Sequence, residues 1–272
     1  MAEQPQVKIL DKALRVLSLF TREQPEWGVT SVAREVAMSK STVHRILRVL
    51  EQHGFLTQNP DTRRFRLGLA GIELGHRAQE GLELRRIALP VMEQVSALSG
   101  ETVLLQVVSP EGDRVVCIER VQQRRGLRLI LDVGSTAPLY AGCSSKVLLA
   151  HLASDEIDHV LHGPLQPLTS HTTVDPTTIR AQLVEIRRTG VAVSFEETDE
   201  GVAGVSVAIR DARNVVVAGL TISGPITRVN AATIGHYTDL AREGARRIAA
   251  ELGHQPSKSV PRAPMEALTA VP

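Results

Sequence analysis

Cysteine and aromatic side chains are scarce: two Cys, and Phe, Trp and Tyr together at 3% of 272 residues. Cys117 and Cys143 cannot build a disulfide framework, and neither CxxC spacing nor a nearby histidine cluster points to zinc. A reducing, cytoplasmic setting without a bound metal is expected. No window reaches the about 18 uninterrupted apolar residues of a membrane helix, and Met1-Ala2-Glu3-Gln4-Pro5 lacks the basic-then-apolar pattern of a secretion signal, so no membrane partner is expected. A dinucleotide fingerprint and a P-loop are also missing, and no cofactor is expected. No repeat is visible. The only biased segment is residues 253–272, with Pro256, Pro261, Pro264 and Pro272 among small and polar residues, which reads as a disordered tail.

What remains is globular: 43% apolar and 22% charged residues, over a length that suits two domains at about 150 residues each. Lys plus Arg (31) nearly balances Asp plus Glu (30), but residues 1–75 hold 11 basic against 8 acidic side chains and the rest 20 against 22. The basic excess concentrates in Arg34, Lys40, Arg45, Arg48, Arg63, Arg64 and Arg66, against Glu35, Glu51 and Asp61. Charge alone leaves two readings open, a surface for a polyanion or a merely basic face.

Periodicity separates them. Leu10, Ala13, Leu14, Leu17 and Phe20 fall at three- and four-residue spacing and predict one face of a first helix. A short second helix follows, with Thr30 or Ser31 as cap and Val32, Ala33, Val36 and Ala37 as its apolar face, then a tight turn near Met38. Ser39 caps a third helix with a core stripe of Val43, Ile46, Leu47 and Leu50, closing at Gly54. Ser41, Arg45, Arg48 and Gln52 fall opposite that stripe, with His44 on its flank and Lys40 in the first turn. Phe55-Leu56-Thr57, a turn at Asn59-Pro60-Asp61, and Arg63 to Leu67 predict a hairpin with Phe65 and Leu67 inward and Arg64 and Arg66 outward. This is a winged helix-turn-helix, whose second helix enters the major groove of double-stranded DNA. Arg34, Ser39, Lys40, Ser41, Thr42, His44, Arg45, Arg48, Arg63 and Arg64 are the candidate DNA-binding residues. A small helical domain for protein contacts is the alternative, and Arg48 has the choice of bridging to Glu51 or Glu35 instead.

Beyond residue 69 a linker leads to Leu84, Ile87, Val91, Val95 and Leu98, one apolar helical stripe containing Pro90, which either caps the next core or pairs with its twin in a dimer. Strands are predicted over residues 102–108, 115–121 and 127–133, helices over about 144–152 and 176–189, strands again over 191–195, 202–209 and 215–222, and a last helix through Ile234, Tyr237, Leu240, Ala241, Ala245, Ile248 and Leu252. Strands, helices, then strands make an α+β domain on an antiparallel sheet. Thr221 and Ser223, on a face shared with Val215 and Val217, place two hydroxyls at the end of an apolar surface, for a ligand or for neighbouring backbone. The helix start after Gly142 can accept a carboxylate. Cys143 near that helix start permits an enzyme reading, but no histidine is tied to it by a local signature, so no catalytic residue and no enzyme are expected, and Glu196, Glu197, Asp199 and Glu200 read as a cation site or, more often for such a run, a solvated turn.

The run from Ser31 through Val43-His-Arg-Ile-Leu-Arg to Leu56 resembles the DNA-binding segment of the IclR family of bacterial transcriptional regulators. Ala137-Pro-Leu-Tyr-Ala-Gly-Cys-Ser-Ser-Lys146, Glu196 to Asp211, and Thr221-Ile-Ser-Gly-Pro225 resemble that family's later motifs, so the likeness spans about residues 6–252. It implies a winged helix-turn-helix over 6–68, a linker over 69–83 and a GAF-like effector-binding domain over 84–252, with a pocket closed by the loops of residues 134–145. It also implies effector contacts at Cys143, Ser144, Ser194, Gly204, Thr221 and Ser223. Two departures stand out. Gly204 replaces a polar side chain common where effectors are small acids, implying a bulkier or less charged ligand, and Ser145 replaces a usual glycine. The expected partners are operator DNA, a small organic effector, either an acid or an aromatic metabolite, and a second copy of the chain, as homodimer or dimer of dimers. The alternative is a small-molecule sensor or enzyme domain whose helical front serves assembly.

Overall fold

The computed structural model describes residues 8–122 and 132–254, and the chain divides between Gly81 and Leu82 into two units. In the first, α1 (Lys8–Leu17), α2 (Val29–Glu35) and α3 (Lys40–Gln52) precede a hairpin of β1 (Leu56–Gln58) and β2 (Phe65–Leu67), then α4 (Leu69–Glu80). Val16, Phe20, Val32, Ala33, Val36, Val43, Ile46, Leu47, Leu56 and Phe65 form its core. Four expectations change. Leu10 and Leu14 are more than half exposed, and α1 packs through Val16 together with the expected Ala13 and Leu17, with Phe20 just past its end. Both sets satisfy helical spacing because α1 carries apolar residues on two faces. The second helix starts after Gly28 without a side-chain cap, leaving Thr30 and Ser31 inside it. Ala37 is exposed in a left-handed conformation, φ +51°, and makes the turn rather than the helix face.

The fourth expectation concerns Leu67, which is exposed rather than inward. Phe65 fills the interior, and its backbone exchanges hydrogen bonds with Trp27 at 2.9 and 2.8 Å, so Trp27 lengthens the small sheet on one side. After Leu67 the chain must pass the end of α3 at close range: a Cβ on Gly68 would stand 2.2 Å from the Gly54 carbonyl oxygen. The residues read as a plain linker then form α4, which buries no residue and carries Glu73–Arg77 one turn apart at 3.5 Å.

The second unit opens with α5 (Glu83–Ser99), whose Ala88, Val91, Met92 and Val95 are buried in that unit's own core. The expected stripe caps the core through Val91 and Val95, with Leu84 and Ile87 packed at its margin, while its last member, Leu98, is 69% exposed. The sheet contains β3 (Thr102–Val108), β4 (Arg114–Val121), β5 (Thr136–Pro138), β6 (Val191–Phe195), β7 (Val202–Arg210) and β8 (Val216–Pro225). Its order is β5-β4-β3-β8-β7-β6, with every pair antiparallel. One face packs on α5 and α9 (Ile234–Glu251) and the other on α6 (Cys143–Leu149) and α8 (Pro176–Thr189), while α7 (Ser154–His162), which periodicity missed, joins the α6 side. For α8 the caps are those expected: the Asp175 carboxylate accepts the Thr178 N–H at 2.8 Å and Gly190 is left-handed.

The strand expected over 127–133 lies outside the described residues as far as residue 131, and Asp132 and Val133 are not in a strand. The β8 register also departs from simple alternation. Ile209 pairs Ala218 and Arg210 pairs Val216, so a bulge skips Val217. Val217 consequently packs on the α5/α9 side and Val216 on the α6 side, and Val215 lies exposed before the strand. The face predicted to join Val215 and Val217 to Thr221 is therefore broken at the bulge.

Candidate nucleic-acid interface and ligand pocket

The start of α3 is built by hydroxyls. Ser39 Oγ accepts the Thr42 N–H at 3.2 Å and lies 3.0 Å from Ser41 Oγ and 2.9 Å from Thr42 Oγ1, so Ser39 is a helix cap whatever else it contacts. Its neighbours Lys40, Ser41, His44, Arg45 and Arg48 are exposed, with Thr42 half-buried, while Val43, Ile46 and Leu47 turn inward. Arg34 on α2 and Arg63 and Arg64 at the hairpin are exposed as well. Asn59 shapes the hairpin tip by accepting the Asp61 and Thr62 N–H groups, and Arg63 takes a left-handed φ of +58° there.

Arg48 pairs with Glu51 at 2.7 Å, the local bridge foreseen as an alternative, yet its side chain keeps 53% exposure. By contrast, the side chains of Arg34, Lys40, Arg45, Arg63, Arg64 and Arg66 have no ion-pair or hydrogen-bond partner among the described residues. An uncompensated cationic surface beside a capped helix start can receive phosphates and base edges.

In the second unit a cavity of about 220 Å³ opens between the sheet, the segment around Thr136–Ser144 and the β6–β7 connection. It is lined by all six effector residues expected from the sequence: Cys143, Ser144, Ser194, Gly204, Thr221 and Ser223. Leu104, Gln106, Leu168, Thr198 and Asp199 line it too and were not foreseen. For Gln106 the alternation of β3 was an available signal, since it shares the face of Leu104. Gly204 has a packing reason: a Cβ there would lie 3.1 Å from both Cys143 Sγ and the Ile222 carbonyl oxygen. Its lack of a side chain thus brings α6 onto the sheet rather than opening room for a bulkier ligand.

The segment entering α6 is held from behind. The Cys143 N–H donates to Ser194 Oγ at 3.0 Å and the Gly142 N–H to Glu197 Oε2 at 3.2 Å, so both amides already have an acceptor. Glu197 and Lys146 are 8% and 2% exposed, and Lys146 Nζ donates to Glu197 Oε2 at 2.6 Å and to Gln182 Oε1 of α8 at 2.8 Å. Glu197 is therefore an internal anchor. Glu196 likewise accepts the Gly201 N–H at 2.8 Å, and neither reading of the acidic run, cation site or solvated turn, describes these two carboxylates. Among the described residues no group of three or more His, Cys, Asp or Glu side chains is placed to hold a metal ion.

Burial pushes the Cys143 thiol up to about 11, against the lowering that a nucleophile needs. Ser145 is fully buried and its hydroxyl finds no partner among the described residues. A cleft of about 260 Å³ between α7 and α8 is larger, but its arginines are engaged, Arg180 with Asp158 and Arg187 with the Ala150 and Leu152 carbonyls. No helix among the described residues is long and apolar enough to cross a membrane.

The same two-part organisation recurs in known proteins. The IclR helix-turn-helix domain matches residues 9–60, and the bacterial transcriptional regulator IclR C-terminal domain matches residues 76–250. The regulator KdgR of Escherichia coli is 32% identical over 85% of this chain and 88% of its own length, and the regulator XynR of the same organism is 27% identical over 92% and 99%. An IclR regulator from Alicyclobacillus acidocaldarius superposes with a TM-score of 0.80 at 28% identity, covering 91% of this chain and 100% of its own. An IclR homologue from Microbacterium hydrocarbonoxydans, solved in complex with 4-hydroxybenzoate, gives 0.75 at 29% identity over 90% and 98%. Sequence motifs and fold thus converge, and the chain belongs to the IclR family of bacterial transcriptional regulators.

Proposed function

We propose that this regulator is ligand-responsive: residues 6–68 bind operator DNA and residues 84–252 bind a small organic effector that biases the intervening segment, residues 69–83, between arrangements. The observation that carries the DNA half is the set of exposed, uncompensated cations on α2, α3 and the hairpin. In this reading Arg34, Lys40, Arg63 and Arg64 meet phosphates, Ser39, Ser41, Thr42 and His44 lie at the groove, and Arg45 and Arg48 face base edges. The effector half rests on the cavity at Cys143, Ser144, Ser194, Gly204, Thr221 and Ser223. Its size suits a small acid or aromatic metabolite, and a relative's complex with 4-hydroxybenzoate supports that class.

Paired half-sites on an operator call for a symmetric dimer, alone or paired again. Exposed Ile9, Leu10 and Leu14 on α1 and Leu69, Ile72 and Leu74 on α4 supply apolar surface for such self-association. The cytoplasm is the compartment in which this work is done.

Titrating the protein against the DNA upstream of its own gene in a gel-shift assay, at stated salt, tests the reading. Arg45→Ala is expected to weaken binding by about 1–3 kcal/mol and relax base preference at one position. Wild-type protein that binds this DNA no better than unrelated DNA of equal length would overturn it.

A further inference from the structure

Gln106 stands midway along β3, paired with Gly219 of β8, and lines the cavity while being only 1% exposed. Its Oε1 lies 3.1 Å from the Thr221 hydroxyl, which also donates to Ser206 Oγ at 2.9 Å, so a single proton is divided between two acceptors. The Nε2 end of the carboxamide has no hydrogen bond to any described residue. An amide nitrogen left without a protein acceptor on a cavity wall is a donor available to a ligand that enters.

The other polar groups of the lining are largely engaged. Ser223 donates to the Ala203 carbonyl at 3.3 Å, Ser194 receives the Cys143 N–H, and the Gly142 N–H is taken by Glu197. Among the described residues no lysine, arginine or histidine lines the cavity, and Asp199 is the one carboxylic acid there. A ligand oxygen entering here meets Gln106 Nε2 as the unengaged N–H donor of the sheet wall.

Resting on the effector reading above, we propose that Gln106 determines effector specificity by donating from Nε2 to a carboxylate or carbonyl oxygen on the end of the ligand that meets the sheet. A ligand presenting an ammonium at that end sets donor against donor and is rejected.

The test uses the full chain and named probes: 4-hydroxybenzoate, its amide, 4-hydroxybenzylamine and butanoate, titrated calorimetrically into wild type, Gln106→Leu and Gln106→Glu. Wild type is expected to bind an acid or the amide and to disfavour the amine. Gln106→Leu is expected to lose about 10- to 100-fold in affinity for the bound probe, with operator affinity unchanged. Gln106→Glu keeps an oxygen for Thr221 and replaces only the free donor, so it is expected to penalise the acids more than the amide, a split that loss of packing alone would not produce. Binding of the same probe with equal affinity by wild type and Gln106→Leu overturns the assignment and leaves the effector reading standing. Failure of every probe to bind wild type overturns the effector class and this assignment with it.

Discussion

Removing the cation from the buried Lys146–Glu197 pair is the most severe single perturbation the second unit offers. In Lys146→Met the apolar stem is kept, but the carboxylate of Glu197, 8% exposed, retains among the described residues only the Gly142 N–H at 3.2 Å as a partner in place of an ammonium at 2.6 Å. Leaving one member of such a pair alone costs about 3–5 kcal/mol. At a urea slope of about 2 kcal/mol per molar, the unfolding midpoint of this unit falls by roughly 1.5–2.5 M. The chain carries its own control: Trp27 is the sole tryptophan and lies in the first unit, so its fluorescence follows that unit while far-UV circular dichroism follows both. The expected result is a large shift in the dichroism transition with the fluorescence transition unmoved. Adding Glu197→Gln to Lys146→Met removes the stranded charge but keeps an acceptor for Gly142, so the double variant should recover at least about 1 kcal/mol over Lys146→Met. A loss below about 1 kcal/mol in Lys146→Met, or strict additivity in the cycle, would refute the idea that this pair anchors the pocket segment.

Three further outcomes follow from individual side chains. Ser145→Ala should stabilise the second unit by about 1 kcal/mol, because it deletes a fully buried hydroxyl without a partner and improves helix propensity; destabilisation in urea unfolding would show that the hydroxyl is bonded after all. Arg64→Ala should lower the slope of log K against log salt for operator binding by about 1, and an unchanged slope would remove the hairpin from the phosphate contacts. The Cys143 thiol, at about 11, carries a thiolate fraction of only about 10⁻³ at pH 8, so iodoacetamide should label it at the unfolding rate rather than directly. Its protonated form is favoured by folding, which places the linked loss of stability above about pH 9, growing as pH rises toward 11, with none at neutral pH.

The helix-turn-helix was legible because each of its signals is local. Ser39 caps within its own turn, Gly54 ends the helix it follows, and the stripe of Val43, Ile46 and Leu47 needs no knowledge of a partner to be seen. Asp175, Pro176 and Gly190 marked α8 for the same reason. Local signals failed where two patterns competed in one stretch. Along α1 two overlapping apolar stripes share Ala13 and Leu17, and only the tertiary core decides that Val16 goes in and Leu14 stays out. Along β8 a strict period of two carried Val217 to the wrong face, since a bulge is fixed by the strand opposite and leaves no mark in the bulged residues themselves.

The pocket divides along the same line. Its hydroxyl and glycine positions were reached through motif likeness, but the groups that set its electrostatics act across long separations. Glu197 meets Lys146 across 51 residues and Gln106 meets Thr221 across 115. In sequence Glu197 is one of four acids in a row of five residues beside a glycine, a setting that on solvation grounds reads as surface. What takes it inside is the left-handed turn at Gly142, φ +80°, packed so closely that a Cβ there would stand 2.7 Å from the Thr198 methyl group. That approach aims the Gly142 N–H at Glu197 and brings Lys146, one turn into α6, onto the same carboxylate oxygen. A side chain at residue 142 would therefore disturb the pocket through this pair before it touched a ligand, and the glycine there is better understood as a condition for burying the two charges than as free space for an effector.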